Sequence, residues 1–263
     1  MYVDTGSSAF AYVRAWLTRF TRLLQPAARI DDAQWSALLA SSALFERLPE
    51  SDRRALRALA ERFLARKSFS AAAGHVLEPS HCLAIAALAC LPALRLGFDA
   101  LAGWREVIVY PGEFRVRREH HDEHSGVVTE GEEDLIGEAW ERGPLVLSWA
   151  DVATDLAQPF DGFNVVVHEI AHKLDLLDGA MNGVPRLPPA IARREWIATM
   201  QAGYDRLARA VARGRDTFID PYAGESADEY FAVASELHFS DPVGFARAEP
   251  AVAALLARYY GNV

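Results

Sequence analysis

Residues 163–178, Phe-Asn-Val-Val-Val-His-Glu-Ile-Ala-His-Lys-Leu-Asp-Leu-Leu-Asp, constrain this chain more than any other stretch. His168 and His172 are four apart, so on a helix they lie one turn apart on the same face. Two imidazoles placed so can reach one metal ion, and Glu169 between them can hold a water. Zinc suits that donor set, because two nitrogens and one carboxylate leave a fourth position open. The chemistry implied is hydrolysis of a peptide, with Glu169 as the base that takes the water's proton. The alternative is an amphipathic helix whose histidines are incidental. The apolar run Val165–Val167 entering the motif, and Asp175 continuing its face, weigh against that.

Two histidines do not complete a site. No histidine occurs in residues 173–182, which excludes the pattern in which a third one follows closely. A carboxylate from a later helix is expected instead, and Glu225, Asp228, Glu229 and Glu236 are available. Glu229 and Glu236 are seven apart and share a helical face. Ser226-x-x-Glu229 also reads as a capping box, in which Glu229 would only close a helix start. Spacing leaves the choice between Glu229 and Glu236 open. Asp175, and whichever glutamate is not the ligand, are expected to accept the free ring N–H of a liganding histidine.

The rest of the chain frames this helix. Asp31 or Asp32 caps a helix carrying Trp35 and Leu38, Ser51 caps another with Leu56, Ala60 and Phe63 inward, and Leu83–Leu91 is apolar all round, as a buried helix is. A further helix is expected over residues 9–25. Short strands are expected at 106–110, 113–117, 126–129 and 144–149, in a small antiparallel or mixed sheet whose edge can pair with an extended substrate. After Gly179 a loop leads to a long helix with Ile191, Trp196, Ile197, Met200, Tyr204, Leu207 and Val211 inward, then a helix over 225–238 and two short helical pieces. Together these give an α+β chain: an N-terminal helical bundle (1–100) packed on a zincin-like catalytic part (101–263), or one continuous domain.

A net charge of −9 over 263 residues argues against a nucleic-acid surface. No apolar run is long enough to cross a bilayer, and the first residues lack the order of a signal peptide. Cys82 and Cys90, the only cysteines, would sit about 12 Å apart on a helix, too far for a disulfide. They read as thiols of a reducing compartment. The loop Glu119-His-His-Asp-Glu-His124 could hold a second metal, although acidic exposed loops of this kind are common.

Pro144-Leu-Val-Leu-Ser-Trp149, His168-Glu-Ile-Ala-His-Lys-Leu-Asp175 and Glu229-Tyr-Phe-Ala-Val-Ala-Ser-Glu236 resemble the Mlc titration factor A family of zinc peptidases. Arg62–Lys67, Cys90-Leu-Pro92 and Val109-Tyr-Pro111 extend the likeness. The resemblance implies a cytoplasmic bacterial protein with a glutamate-class zincin core, acting on small peptides, whose relatives include one that binds a transcription repressor. It implies zinc on His168, His172 and Glu229, with Glu169 as the base. It also sets Tyr222 where a phenol could reach the reacting carbonyl, though a packed loop aromatic explains Tyr222 as well. Where that family carries a further histidine ligand, this chain has Thr129, a poor zinc ligand. The expectation is a three-residue site open to water, with His124 as the possible substitute for the missing histidine.

Overall fold

A computed structural model describes residues 29–112 and 143–261. Helices α1 (Asp32–Ser41), α2 (Ala43–Glu46) and α3 (Glu50–Arg66) lead into strand β1 (Ser68–Ala71). Helices α4 (Pro79–Cys90) and α5 (Ala93–Leu96) and a 3₁₀ turn (Phe98–Leu101) connect it to β2 (Glu106–Tyr110). Strand β3 (Leu145–Ser148) runs directly into α6 (Trp149–Ala157), and α7 (Val165–Asp175) carries the His-Glu motif. Then come α8 (Arg193–Val211), a 3₁₀ turn (Pro221–Gly224), α9 (Ala227–Ser240), α10 (Pro242–Ala248) and α11 (Pro250–Tyr260). The arrangement is α+β and mostly helical, and no described helix is long and apolar enough to cross a membrane.

The sheet corrects one expectation. The described strands pair in the order β1-β2-β3, all parallel, with Phe69 opposite Val107 and Val107 opposite Leu145. Antiparallel pairing is not what these strands make. Parallel neighbours need a crossover, and α4 and α5 supply it between β1 and β2. β1 was not foreseen, because Ser-Phe-Ser-Ala is four residues of no clear alternation. Val107, Val109, Leu145 and Leu147 form the buried face of the sheet. The expected helix at 9–25, the strands at 113–117 and 126–129, and the 119–124 histidine loop lie outside the described residues.

Lys67 ties the helical layer to the sheet. Its Nζ donates to Leu101 O at 2.6 Å and Trp104 O at 2.8 Å, and lies 3.4 Å from the centroid of the Trp104 ring. Burial brings its pKa down to about 7. The next residue, Ser68, opens β1, so this clamp sets where the first strand begins.

The helices follow local rules with small shifts at their ends. Asp31 caps α1 through a capping box with Gln34. Pro49, not Ser51, precedes α3, and Glu78 with His81 forms the box that starts α4. From Leu83 to Cys90 every residue of α4 is buried, and the helix packs on α3 and α7. Both cysteines are free thiols on α4. In α8 the buried stripe is Trp196, Met200, Gly203 and Leu207, whereas Ile197 and Val211 are exposed. A helix turns about 100° per residue, which carries Ile197 off the stripe, whereas Val211 is exposed as the last residue of the helix.

The loop after α7 is held close to α9. Gly183 has φ +73°, and a Cβ there would stand 2.4 Å from Ala227 O, at the start of α9. Gly183→Ala combines a left-handed backbone with a clash against main chain. We expect a loss of stability of about 2 kcal/mol or more, read as a lower denaturant midpoint at unchanged slope.

Candidate metal centre

Three consecutive valines are poor helix formers, so α7 needs help to begin. Asn164 caps it, its Oδ1 accepting the Val167 N–H at 3.0 Å. The Asp155 carboxylate accepts the Val165 N–H at 2.7 Å, and Glu236 accepts the Asn164 N–H at 2.7 Å. The first turn is thereby fastened to α6 on one side and α9 on the other. Val166, Val167, Ile170, Ala171 and Leu174 are fully buried, and this packing overrides the weak propensity. The opposite face presents His168 and His172 to α9.

Glu229, in the first turn of α9, meets both rings. Its Oε2 lies 3.2 Å from His168 Nε2 and 3.4 Å from His172 Nε2, and the two Nε2 atoms are 3.1 Å apart. Tetrahedral zinc with ligands at about 2.0–2.1 Å keeps them about 3.3 Å from one another. The triangle formed by this donor set therefore has the size such an ion requires. Among the described residues, these three are the one group whose ligating atoms converge in this way.

The surroundings set the tautomer and the charge. Glu236 Oε1 is 2.6 Å from His168 Nδ1, so a proton is held on Nδ1, and Nε2 is the nitrogen a metal would take in place of a proton. His172 Nδ1 is buried without a hydrogen bond among the described residues, and the Asp228 carboxylate lies 3.9 Å from it. Burial alone would lower the pKa of His168, but its bonds to Glu229 and Glu236 outweigh that and push it up to about 10. Burial would raise the Glu229 carboxyl, yet the two imidazoles hold it far below the usual carboxylate range. Both directions record the pairing of the Glu229 carboxylate with the two imidazoles, whose ring nitrogens face the same point.

Glu229 is no mere cap. Ser226 Oγ accepts the Glu229 N–H at 3.3 Å, while the Glu229 carboxylate turns inward and is only 2% exposed. Glu236 stands behind His168. The two glutamates are about 10 Å apart along the helix axis, yet reach opposite nitrogens of one ring. Tyr222, in the turn before α9, is half-exposed, and its hydroxyl donates to Glu229 Oε1 at 2.9 Å. Glu169 is half-buried and lines, with His168 and Tyr222, a cleft of about 630 Å³.

One expected partner is placed elsewhere. Asp175 is fully buried, but its Oδ2 accepts the N–H groups of Asn182 and Gly183, both at 2.7 Å, rather than a histidine N–H. It lies one turn beyond His172 but points to the loop that packs on α9. Asn164 and Asp155 were missed by sequence reasoning, while Asp228, one of the carboxylates considered as a ligand, lies 3.9 Å from His172 Nδ1. For Asn164 a signal existed, an Asn three residues before Val167 at a helix start. Thr129 and His124 lie outside the described residues.

Residues 14–261 match the family described as glucose-regulated metallo-peptidase M90. A Mlc titration factor A of Escherichia fergusonii is 36% identical over 240 residues, 88% of this chain and 87% of the relative. A Mlc titration factor A of Klebsiella pneumoniae is 38% identical over 234 residues, 86% of this chain and 84% of the relative. An uncharacterized protein of Synechocystis is 38% identical over 209 residues, 78% of this chain and 75% of the relative.

Proposed function

The chain belongs to the glucose-regulated metallo-peptidase M90 family, and from that premise we propose that it is a zinc-dependent peptidase acting on short peptides. The observation that carries this reading is the triangle of His168, His172 and Glu229 donor atoms, with sides of 3.1, 3.2 and 3.4 Å. Those three residues would hold the ion, and Glu236 would orient His168. Zinc held there would supply Lewis acidity toward a carbonyl and lower the pKa of a water. Glu169, adjacent to His168 and open to the cleft, takes the proton of the attacking water and returns it to the leaving nitrogen. The core is read as a glutamate-class zincin, with the helices among residues 29–100 as its support and β1 continuing its sheet.

Tyr222 has two possible tasks, and kinetics separate them. Its hydroxyl bonds Glu229 Oε1 and also borders the cleft, where it could donate to an oxygen gaining negative charge. Under the second task, Tyr222→Phe lowers kcat by about 10²–10³ with little change in KM and with zinc retained. Under the first, zinc affinity falls instead. We expect the kcat effect, measured on protein of verified metal content.

A second reading comes from the relatives' name. Two of them are Mlc titration factors, which favours a regulatory role in which this chain binds a transcription repressor, with or without peptidase activity. A cytoplasmic bacterial setting, without direct contact to nucleic acid or membrane, accompanies either reading. Hydrolysis of a peptide panel with and without a chelator tests the peptidase. Loss of cellular effect in Glu169→Gln favours catalysis, and its persistence favours sequestration.

A further inference from the structure

The cleft over the candidate metal centre is lined by six carboxylates and, among the described residues, by no lysine or arginine. Two of the six serve the centre itself, Glu169 as the proposed base and Glu236 by its bond to His168. Asp220, Asp155 and Asp161 each accept one backbone N–H, from Tyr222 at 2.8 Å, Val165 at 2.7 Å and Phe163 at 3.0 Å. Asp151, Asp155 and Asp161 form no ion pair among the described residues.

Asp155 is the most telling. It is 5% exposed, and one oxygen accepts the Val165 N–H, while the other accepts no hydrogen bond among the described residues. Burial, and then repulsion from Glu236, Asp161 and Asp151, pushes its carboxyl up to about 7. Its second oxygen opens to the cleft, where a positive group beside it would favour the ionised form over the protonated one.

The form of that positive group can be narrowed. Asp151, Asp155 and Asp161 do not bring their oxygens together as the histidine centre does, so a compact metal ion does not fit them. A guanidinium or ammonium on a long stem does, since it carries several donors and can answer carboxylates that stand apart. Phe163, half-exposed, together with Val165 and Val233, supplies apolar wall for the methylenes of such a stem. A cleft of one sign also draws oppositely charged substrates by focusing its field.

Resting on the peptidase reading, we propose that the cleft selects peptides with an arginine or lysine side chain near the bond cut, recognised by Asp155, Asp161 and Asp151. The test uses pentapeptides blocked at both ends and differing at one position, Arg, Lys, Gln or Glu, with a free-amine version of the Gln peptide as a further arm. Binding is measured by anisotropy on zinc-loaded Glu169→Gln protein, and kcat/KM on wild type. The Arg and Lys peptides are expected to exceed Gln by about tenfold or more, and Glu to fall below it. The advantage should shrink with salt and collapse toward one in Asp151→Asn/Asp161→Asn, whose positions are outside the buried core. Equal values for Arg, Gln and Glu overturn the proposal, as does a preference confined to the free amine. Failure to hydrolyse any peptide with zinc bound overturns the peptidase reading instead, and the binding arm then judges the charge preference by itself.

Discussion

Glu169→Gln is expected to lower kcat by about 10²–10⁴ while the protein keeps its zinc. Glutamine has the same shape and can still hold a water by a hydrogen bond, but cannot take its proton. The donor triangle is built from His168, His172 and Glu229 and does not include Glu169. Glu169 is half-buried and helps to balance the charge of the buried Lys173, which also donates to Gly143 O at 3.1 Å, so the isosteric substitution should be tolerated by the fold at a modest cost. Metal analysis, thermal melting and single-turnover kinetics on one preparation decide the matter. Near wild-type turnover with full zinc would remove Glu169 from the mechanism.

The second large effect falls on metal affinity. Glu229→Ala removes one corner of the triangle, whereas Glu236→Gln leaves all three corners and changes only what lies behind His168. Loss of a partner behind a ligand typically costs about 10–100-fold in metal affinity, and loss of a ligand should cost more. We therefore expect Glu229→Ala to be isolated nearly free of zinc, and Glu236→Gln to retain it with weakened affinity. Competition with a chromophoric chelator gives the order directly. Glu236→Gln binding zinc more weakly than Glu229→Ala would exchange their roles. Glu236 also accepts the Asn164 N–H, so its replacement should in addition loosen the start of α7.

The two classes of contact explain what could be foreseen. Interactions within about one helical turn follow from the 3.6-residue period, which places His168 and His172 together and leaves Glu169 beside them. The buried length of α4 was equally plain, because an apolar surface on every side has nowhere else to go. Strand β1 was not plain, since four residues carry too little pattern. Nor was the parallel pairing, which is decided by how α4 and α5 carry the chain between β1 and β2.

The amino-acid sequence by itself determined the candidate metal-binding face of α7, the expectation of a carboxylate from a later helix, and the apolar character of the helices around it. Only the tertiary structure decided which glutamate faces the Nε2 pair, since Glu229 and Glu236 lie on the same face of α9 and differ only in where that helix crosses α7. It also moved Asp175 from the histidines to the Asn182–Gly183 loop, and brought Asp155 from α6 to the start of α7. The physical reason is range. A helix period fixes neighbours along one element, but the crossing of two elements is set by the packing of whole buried faces, and a shift of one turn exchanges every partner across it.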